Sequence, residues 1–187
     1  GGGIMFLPNN ENKTLTLRNS TIQSCSSVGA GGAIIVSNGI IEDVIIQNCT
    51  SQFQAGAMYG GNNVIRNSVF RNNSAGPYGG AYATDGGQTT IINSSFINNT
   101  AGNGGAIRSS WGAQVDLINV NLINNSATNG GPAYLEYGGI LNIIQSNVQG
   151  NTPPEFSFQN DGLYQDILSI SYSNYDGVLD SIDIPDG

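Results

Sequence analysis

The feature that most constrains this chain is a repeat of 24 to 26 residues that runs through most of its 187 residues. The successive copies are "IQSC" (22–25), "IQNC" (46–49), "FRNN" (70–73), "FINN" (96–99), "LINN" (122–125) and "VQGN" (148–151). A second landmark, "GGA" or a close variant, keeps step with them, from 31–33 to 130–132. Such a period, with short apolar-alternating runs between Gly and Asn, is typical of a solenoid.

The repeat favours strands over helices. No window has a convincing 3.6-residue apolar period, and frequent Gly and Asn disfavour helix interiors. The Leu-x-x-Leu-x-Leu pattern of leucine-rich repeats is absent. We therefore predict an all-β chain, a parallel β-helix of about seven coils forming one domain over residues 1–187. Regular coils are expected over 1–152, followed over 153–187 by a looser final coil and an acidic exit segment. Because neither end of the predicted rod has a cap, we expect the chain to be part of a longer rod.

Stacked coils turn sequence repeats into vertical columns at the strand spacing of about 4.8 Å. One column should be an internal apolar stripe, and another a row of asparagines whose amides hydrogen-bond from rung to rung. The apolar column comprises Ile22, Ile46, Phe70, Phe96, Leu122 and Val148. The asparagine column comprises Asn73, Asn99, Asn125 and Asn151.

Cysteine replaces asparagine in the first two rungs of this column, at Cys25 and Cys49. One rung spacing lies within the Cα range of a disulfide, so the two residues either form a disulfide bond or remain free, buried thiols. Arg18, Glu42 and Arg66 should also align and form a surface ladder of alternating charge.

Two motifs resemble a known family. "GGAI" (31–34 and 104–107) and F-x-x-N (70–73 and 96–99) resemble the repeats of chlamydial polymorphic outer-membrane proteins. Similar repeats occur in secreted bacterial and protist proteins with right-handed, pectin-lyase-like β-helices. The resemblance implies a right-handed β-helix and an extracellular or cell-surface location. It implies little about activity, since this fold hosts enzymes, adhesins and passive rods.

Catalytic chemistry has few candidates in this chain. Histidine is absent, and Lys13 is the sole lysine. Asp85, Arg108 and Glu136 should lie near one another on adjacent rungs and form the best candidate for a polysaccharide lyase or glycoside hydrolase, the alternative being three solvated corner residues. With five basic residues and no basic patch, nucleic acid is not an expected partner. No apolar run approaches the roughly 20 residues of a membrane span.

Carbohydrate binding has better support. Several aromatic residues stand close to the glycine landmark, so they should lie on one side of the rod and could stack on sugar rings. Alternatively, some of them point inward and fill the core. The candidates selected for binding are Tyr82, Trp111 and Tyr134.

Two further sets of residues are candidates for ligand binding or modification. Asp176, Asp180 and Asp183 stand at short spacings that faintly resemble acidic calcium repeats, although an acidic solvated linker explains them as well. No other cofactor is expected. Four sequons occupy one column, at Asn48, Asn72, Asn98 and Asn124. In a eukaryotic secreted protein this column could carry glycans, whereas in a bacterium the same sequons are by-products of the turn motif.

The sequence as a whole predicts a non-catalytic extracellular rod, a segment of a surface adhesin or fibre. Its expected partners are flanking modules or identical subunits end to end, and a polysaccharide or cell-surface glycan. The alternative is a polysaccharide-acting enzyme or a carbohydrate-binding module on the same fold.

Overall fold

A computed structural model describes residues 2–7, 13–159 and 162–177. These residues form strands and turns and contain no helix. Among them there is accordingly no helix long and apolar enough to cross a membrane. The strands β1 to β24 span, in chain order, Ile4–Phe6, Leu15–Gln23, Ser26–Ser27, Ile34–Val36, Gly39–Gln47, Thr50–Ser51, Met58–Tyr59, Val64–Arg66, Val69–Arg71, Ser74–Ala75, Tyr82–Asp85, Gln88–Ile92, Ser95–Ile97, Thr100–Asn103, Ile107–Ser110, Gln114–Ile118, Asn121–Ile123, Ser126–Asn129, Ala133–Glu136, Ile140–Ile144, Asn147–Gln149, Ser157–Gln159, Ile167–Ser171 and Asn174–Tyr175.

The strands form three parallel sheets wound into a solenoid of about six turns. Sheet A contains β1, β4, β7, β11, β15, β19 and β22, and sheet C contains β3, β6, β10, β14 and β18. The remaining strands form sheet B, which a typical turn crosses twice, as in β12 and β13. The predicted parallel β-helix is therefore confirmed. Sheet A stacks seven strands within the described residues, but these complete only about six turns rather than the seven expected.

The strands pair in the register that the predicted columns require. Phe70 pairs with Ile46 on one side and with Phe96 on the other, and Phe96 pairs with Leu122. The Phe70 and Phe96 rings are parallel, with centroids 4.8 Å apart, and both side chains are fully buried. Residues about two dozen positions apart therefore lie directly above one another, and their apolar side chains form one continuous core.

Glycine at the second landmark allows the sharp entry into sheet A. Gly79 has a φ of 60°, a left-handed conformation that L side chains rarely adopt. At Gly80, glycine is required because an added Cβ would overlap the carbonyl oxygen of Gly105 in the next turn. The alanines that follow these glycine positions are fully buried: Ala33, Ala57, Ala81 and Ala106.

The asparagine column forms the expected ladder inside the solenoid. The Asn99 side chain donates to the Phe70 carbonyl and to the Asn125 Oδ1 atom, each at 3.0 Å. Its own Oδ1 accepts from the backbone N–H and the amide of Asn73, also at 3.0 Å. Asn125 repeats the pattern with Asn151. All four asparagines are buried, so the ladder satisfies backbone groups at a corner that water does not reach.

The disulfide alternative for Cys25 and Cys49 is not realised. Both thiols are free, and each donates to the carbonyl two residues earlier, at the end of the preceding strand. Side chains at equivalent positions of parallel strands point the same way, which is unsuited to disulfide geometry. Burial raises the pKa of the Cys49 thiol, which favours its neutral form.

Two other expected features are present. Arg18 pairs with Glu42 at 2.8 Å, and Arg66 lies opposite Glu42 in the next strand, so the charge column exists. The segment 166–175 continues the ladder, because β23 pairs with β20 and β24 pairs with β21.

Candidate functional site

The outer face of sheet A collects the chemistry-bearing side chains. Alternate residues of a strand point to opposite faces, and Tyr82, Ile107 and Ala133 point into the core. Their neighbours therefore point outward in two columns. The first contains Ala83, Arg108 and Tyr134, and the second contains Asp85, Ser110 and Glu136.

Arg108 lies at the centre of this face. Its Nη1 is 2.5 Å from Asp85 Oδ1, its Nε is 2.5 Å from Glu136 Oε1, and its Nη2 also pairs with that carboxylate. Nη1 also donates to the Gln54 side-chain oxygen at 2.8 Å. The structure thus brings together the three predicted residues, with Gln54 and Tyr59 added. We call these five residues the Arg108 cluster.

Two of the three charges of this cluster are withdrawn from solvent. The side chain of Arg108 is 6% exposed and that of Glu136 is 3%, whereas that of Asp85 is 30% exposed. A glycoside hydrolase needs a protonated carboxylic acid that reaches the glycosidic oxygen and a second carboxylate facing the substrate. Glu136 faces protein, and both carboxylates are engaged by one guanidinium. This arrangement suits a structural ion-pair network better than an acid–base pair.

Tyrosines bound to the cluster are held in their neutral form. Burial, and then the hydrogen bond from the Tyr59 hydroxyl to Asp85 Oδ2 at 2.7 Å, raise the pKa of Tyr59 well above its usual value. Burial, and then the charge of Glu136, raise the pKa of Tyr134 to about 12. Both hydroxyls therefore keep their proton, and can donate it, up to a higher pH than an exposed tyrosine.

Aromatic rings cover one side of the cluster. The Arg108 guanidinium carbon lies 4.6 Å from the centroid of the Tyr78 ring, a cation–π contact. Tyr78 packs 6.4 Å from Tyr134, and on its other side 6.3 Å from Phe53, which is half exposed. The three rings lie on different turns, and the Tyr78 ring covers one face of the guanidinium.

A second aromatic group stands at the corner where sheet A ends. Trp111 follows β15, Tyr137 follows β19, and their rings stack at 4.5 Å with an interplanar angle of 19°. Tyr164 packs edge-on against both, at 6.4 and 6.3 Å. Trp111 is 56% exposed and Tyr164 is 50% exposed. We call these three residues the aromatic corner.

The backbone of the aromatic corner is strained. Trp111 and Tyr137 have φ angles of 54° and 52°, where bulky residues are rare. The register places Gly86 in the same column one turn earlier, with the positive φ that glycine tolerates. Left-handed backbone costs an L residue about 1–2 kcal/mol. The chain therefore places two large rings in a column where the preceding turn has glycine, and such strain is enriched at functional sites.

A polar bridge connects the two aromatic groups. The Tyr134 hydroxyl donates to Gln159 Oε1 at 3.3 Å, and the Gln159 amide donates to the Tyr137 hydroxyl at 3.2 Å.

Between Asp85 and Glu136, the buried Ser110 hydroxyl has no hydrogen-bond partner among the described residues.

The three residues selected for carbohydrate binding have different surroundings. Tyr82 is fully buried, and its hydroxyl donates to the Gly60 carbonyl at 2.6 Å, so its selection as a surface residue was wrong. Trp111 is exposed, as the hypothesis requires, and Tyr134 is half buried beside Arg108. Tyr164, Phe53 and Gln159 were missed, because the repeat pattern does not indicate that the elements carrying them converge on sheet A.

The remaining candidates are less informative. Asp176 accepts a hydrogen bond from the Gly150 N–H at 2.6 Å, whereas Asp180 and Asp183 lie outside the described residues. Within the described ranges, no group of three or more His, Cys, Asp or Glu side chains could hold a metal ion. The sequon asparagines Asn48, Asn72, Asn98 and Asn124 are all exposed, each with a φ between 53° and 55°.

Comparisons with protein-family models, with curated proteins and with solved structures find no match for this chain. The architecture is therefore the firm result, and function has to be inferred from the site.

Proposed function

We propose that this chain is a non-catalytic rod, a segment of an extracellular or cell-surface adhesin or fibre, that binds carbohydrate through the aromatic corner. The resemblance of its repeats to those of secreted, right-handed β-helix proteins supports the location and the hand of the solenoid. The observation that carries the binding function is the stack of the exposed Trp111 on the half-buried Tyr137, both held on left-handed backbone. Rigid rings at a solvated surface offer a flat apolar face to a sugar while polar groups beside them hydrogen-bond its hydroxyls.

The surroundings of the aromatic corner match this role. Asp85, which lies opposite Ser110 directly before Trp111, provides an acceptor, and the Tyr137 hydroxyl, which accepts from Gln159, has its own proton to donate. The ladder beneath is continuous from β11 to β22, so the rings stand on a rigid support. A preformed site loses little conformational entropy when it binds a ligand.

Trp111 is the only tryptophan in the sequence, so its fluorescence reports directly on this site. We expect a binding glycan to shift or quench this emission, and we expect Trp111→Gly to weaken binding at least tenfold in affinity electrophoresis. Glycine is the residue that the preceding turn has in this column, so the variant should keep the fold.

Tyr172→Gly provides the matched control. Tyr172 is 91% exposed with a φ of 50°, but it stands at a corner of sheet B, between β23 and β24. Equal loss of binding in both variants, or no binding to any glycan of a broad array, would overturn the proposal.

The enzyme alternative rests on the Arg108 cluster and requires turnover. Incubation with acidic and neutral polysaccharides should release no unsaturated or reducing ends. Product formation that Asp85→Asn abolishes would establish catalysis and replace the non-catalytic role.

Association of identical subunits or flanking modules is a further part of the proposal. Among the described residues, β2 pairs only with β5, so its other edge carries unpaired backbone groups. We expect the apparent mass in sedimentation to rise with concentration, and a concentration-independent monomer would contradict self-association.

A further inference from the structure

The rings on sheet A form a track rather than a single patch. From Phe53 the track passes through Tyr78 to Tyr134, at centroid separations of 6.3 and 6.4 Å. Tyr137 follows Tyr134 by three residues along the chain, about 10 Å in extended backbone. Gln159 bridges their hydroxyls, and the aromatic corner continues the track beyond Tyr137. The two exposed ends, Phe53 and Trp111, therefore bound a polar centre formed by the Arg108 cluster.

The accessible charges along this track are negative. All five basic residues lie in the described part of the chain, and four of them belong to sheet B or precede it: Lys13, Arg18, Arg66 and Arg71. Arg108 is the basic residue of sheet A, and its guanidinium is buried between two carboxylates. Asp166 adds a third carboxylate, whose Oδ1 accepts from the N–H groups of Gly138 and Gly139 at 2.9 Å, directly after Tyr137.

A ligand on this track meets ring faces, hydroxyls, amides and accessible carboxylate, but no exposed cation. Recognition of a uronate or sulfate group normally needs a basic side chain that contacts the anion. Here an anionic ligand would instead approach a net-negative surface of a chain with net charge −8. Neutral sugars have hydroxyl groups that donate to carboxylate, and their C–H faces stack on aromatic rings.

We propose that the ligand of this surface is an uncharged oligosaccharide that lies obliquely across the strands of sheet A, from Trp111 to Phe53 on an earlier turn. This inference rests on the proposed carbohydrate-binding function and specifies its ligand class and its orientation. Both ends of the track contribute, so affinity increases with chain length until the ligand spans them. Charge excludes the acidic polymers that a surface of similar shape with exposed arginines would accept.

The test of charge uses matched ligands. A galacturonic acid hexasaccharide and its fully methyl-esterified counterpart share one backbone and differ in charge. We expect the ester, with other neutral hexasaccharides, to bind at least tenfold more tightly than the acid in titrations of Trp111 fluorescence. Raising ionic strength from about 0.05 to about 0.5 M should narrow this gap, because salt screens repulsion. Tighter binding of the acid at low salt would overturn the ligand class.

The test of orientation uses Phe53→Ala, since Phe53 is half exposed and lies far from Trp111 along the track. Loss of one stacking ring should weaken hexasaccharide binding about threefold to tenfold and leave disaccharide binding unchanged. In isothermal titration calorimetry, which does not depend on the tryptophan, Trp111→Gly should weaken the binding of both ligands, and Tyr172→Gly should weaken neither. Identical affinity of Phe53→Ala and the wild type for hexasaccharides would overturn the extended track.

The outcomes separate this inference from the function on which it rests. Preferred binding of the acid, or an effect of Trp111→Gly without one of Phe53→Ala, refutes the ligand class or the orientation and leaves carbohydrate binding intact. No effect of Trp111→Gly on any ligand refutes both.

Discussion

Replacing Asn99 by alanine should reveal how much one rung of the buried ladder contributes to stability. The Asn99 side chain takes part in four hydrogen bonds, two donated and two accepted. Alanine removes all four. Asn125 Oδ1 keeps its bond from the Asn99 backbone N–H, and the Asn73 amide keeps its bond to Ile46. The groups left without a side-chain partner are the Asn73 backbone N–H and one acceptor site on the Phe70 carbonyl.

The magnitude follows from these two groups. A buried polar group that loses its partner costs about 1–3 kcal/mol, so the pair predicts a loss of about 2–6 kcal/mol. Asn99 is fully buried, and water does not replace the lost bonds without entering the core. Since natural domains are stable by about 5–15 kcal/mol, a single substitution should remove a large share of the total.

Urea unfolding followed by far-ultraviolet circular dichroism and by Trp111 fluorescence measures the change, and coincident transitions license a two-state treatment. Asn121→Ala is the matched control, because this exposed asparagine donates one bond to Ser95. It should change stability by less than about 0.5 kcal/mol. If Asn99→Ala were no more destabilising than Asn121→Ala, the buried ladder could not be a source of stability.

Three further predictions concern other buried groups. Burial raises the pKa of Tyr82 to about 12, above its unfolded value near 10. The contribution of Tyr82 to stability is therefore complete below about pH 10 and lost by about pH 12. In urea unfolding at stepped pH, Tyr82→Phe should lose at most about 2–3 kcal/mol less than the wild type over this range, because Tyr59 and Tyr134, whose pKa values are also raised, titrate in both proteins. Gly80→Ala should prevent stable folding, because its Cβ overlaps the Gly105 carbonyl, whereas Gly29→Ala, whose Cβ meets no atom within 4 Å, should unfold like the wild type in thermal melts. A thiol reagent should titrate two thiols in denatured, unreduced protein and react slowly at Cys49 in native protein, since Cys49 is fully buried; a count of zero would indicate a disulfide.

The repeat in the sequence was sufficient to predict the architecture. A residue such as Phe96 recurs at a fixed distance from its equivalents, and a parallel ladder is the arrangement that brings such equivalents into contact. The vertical proximity of Cys25 and Cys49 was predictable for the same reason. Their bonding state was not, because it depends on the direction of the side chains rather than on the spacing in the sequence.

The orientation of Tyr82 could have been predicted. Its column also contains Ile34, Met58 and Ile107, and three large apolar neighbours indicate an inward position. The same alignment places Trp111 one residue beyond the outward-facing Ser110, at the turn. Comparison of whole columns would have separated these two aromatic residues, whereas proximity to the glycine landmark did not.

The burial of the Glu136 side chain could not be predicted by comparing columns. Strand alternation makes it outward-facing, and an outward-facing carboxylate is ordinarily solvated. Arg108 reaches it from the preceding rung, and the Tyr78 ring, from an earlier turn, covers the guanidinium. These elements lie far apart in the sequence, and neither repeat landmark includes them.

The burial of the Arg108 cluster also explains what an ion-pair network contributes to a repetitive solenoid. A repeat of similar strands is prone to slip in register, and a slip of one residue moves every side chain to the opposite face. Arg108 pairs with Asp85 one rung earlier and with Glu136 one rung later, so one side chain links three rungs of sheet A. A slipped strand would leave a buried charge without its partner, which costs about 3–5 kcal/mol. The apolar columns also resist a slip of one residue, which would expose them, but they resist a slip of two residues less specifically, because one aliphatic residue then replaces another at low cost. The cluster thus fixes the register beneath the aromatic track and holds Tyr78 and Tyr134 in place beside it.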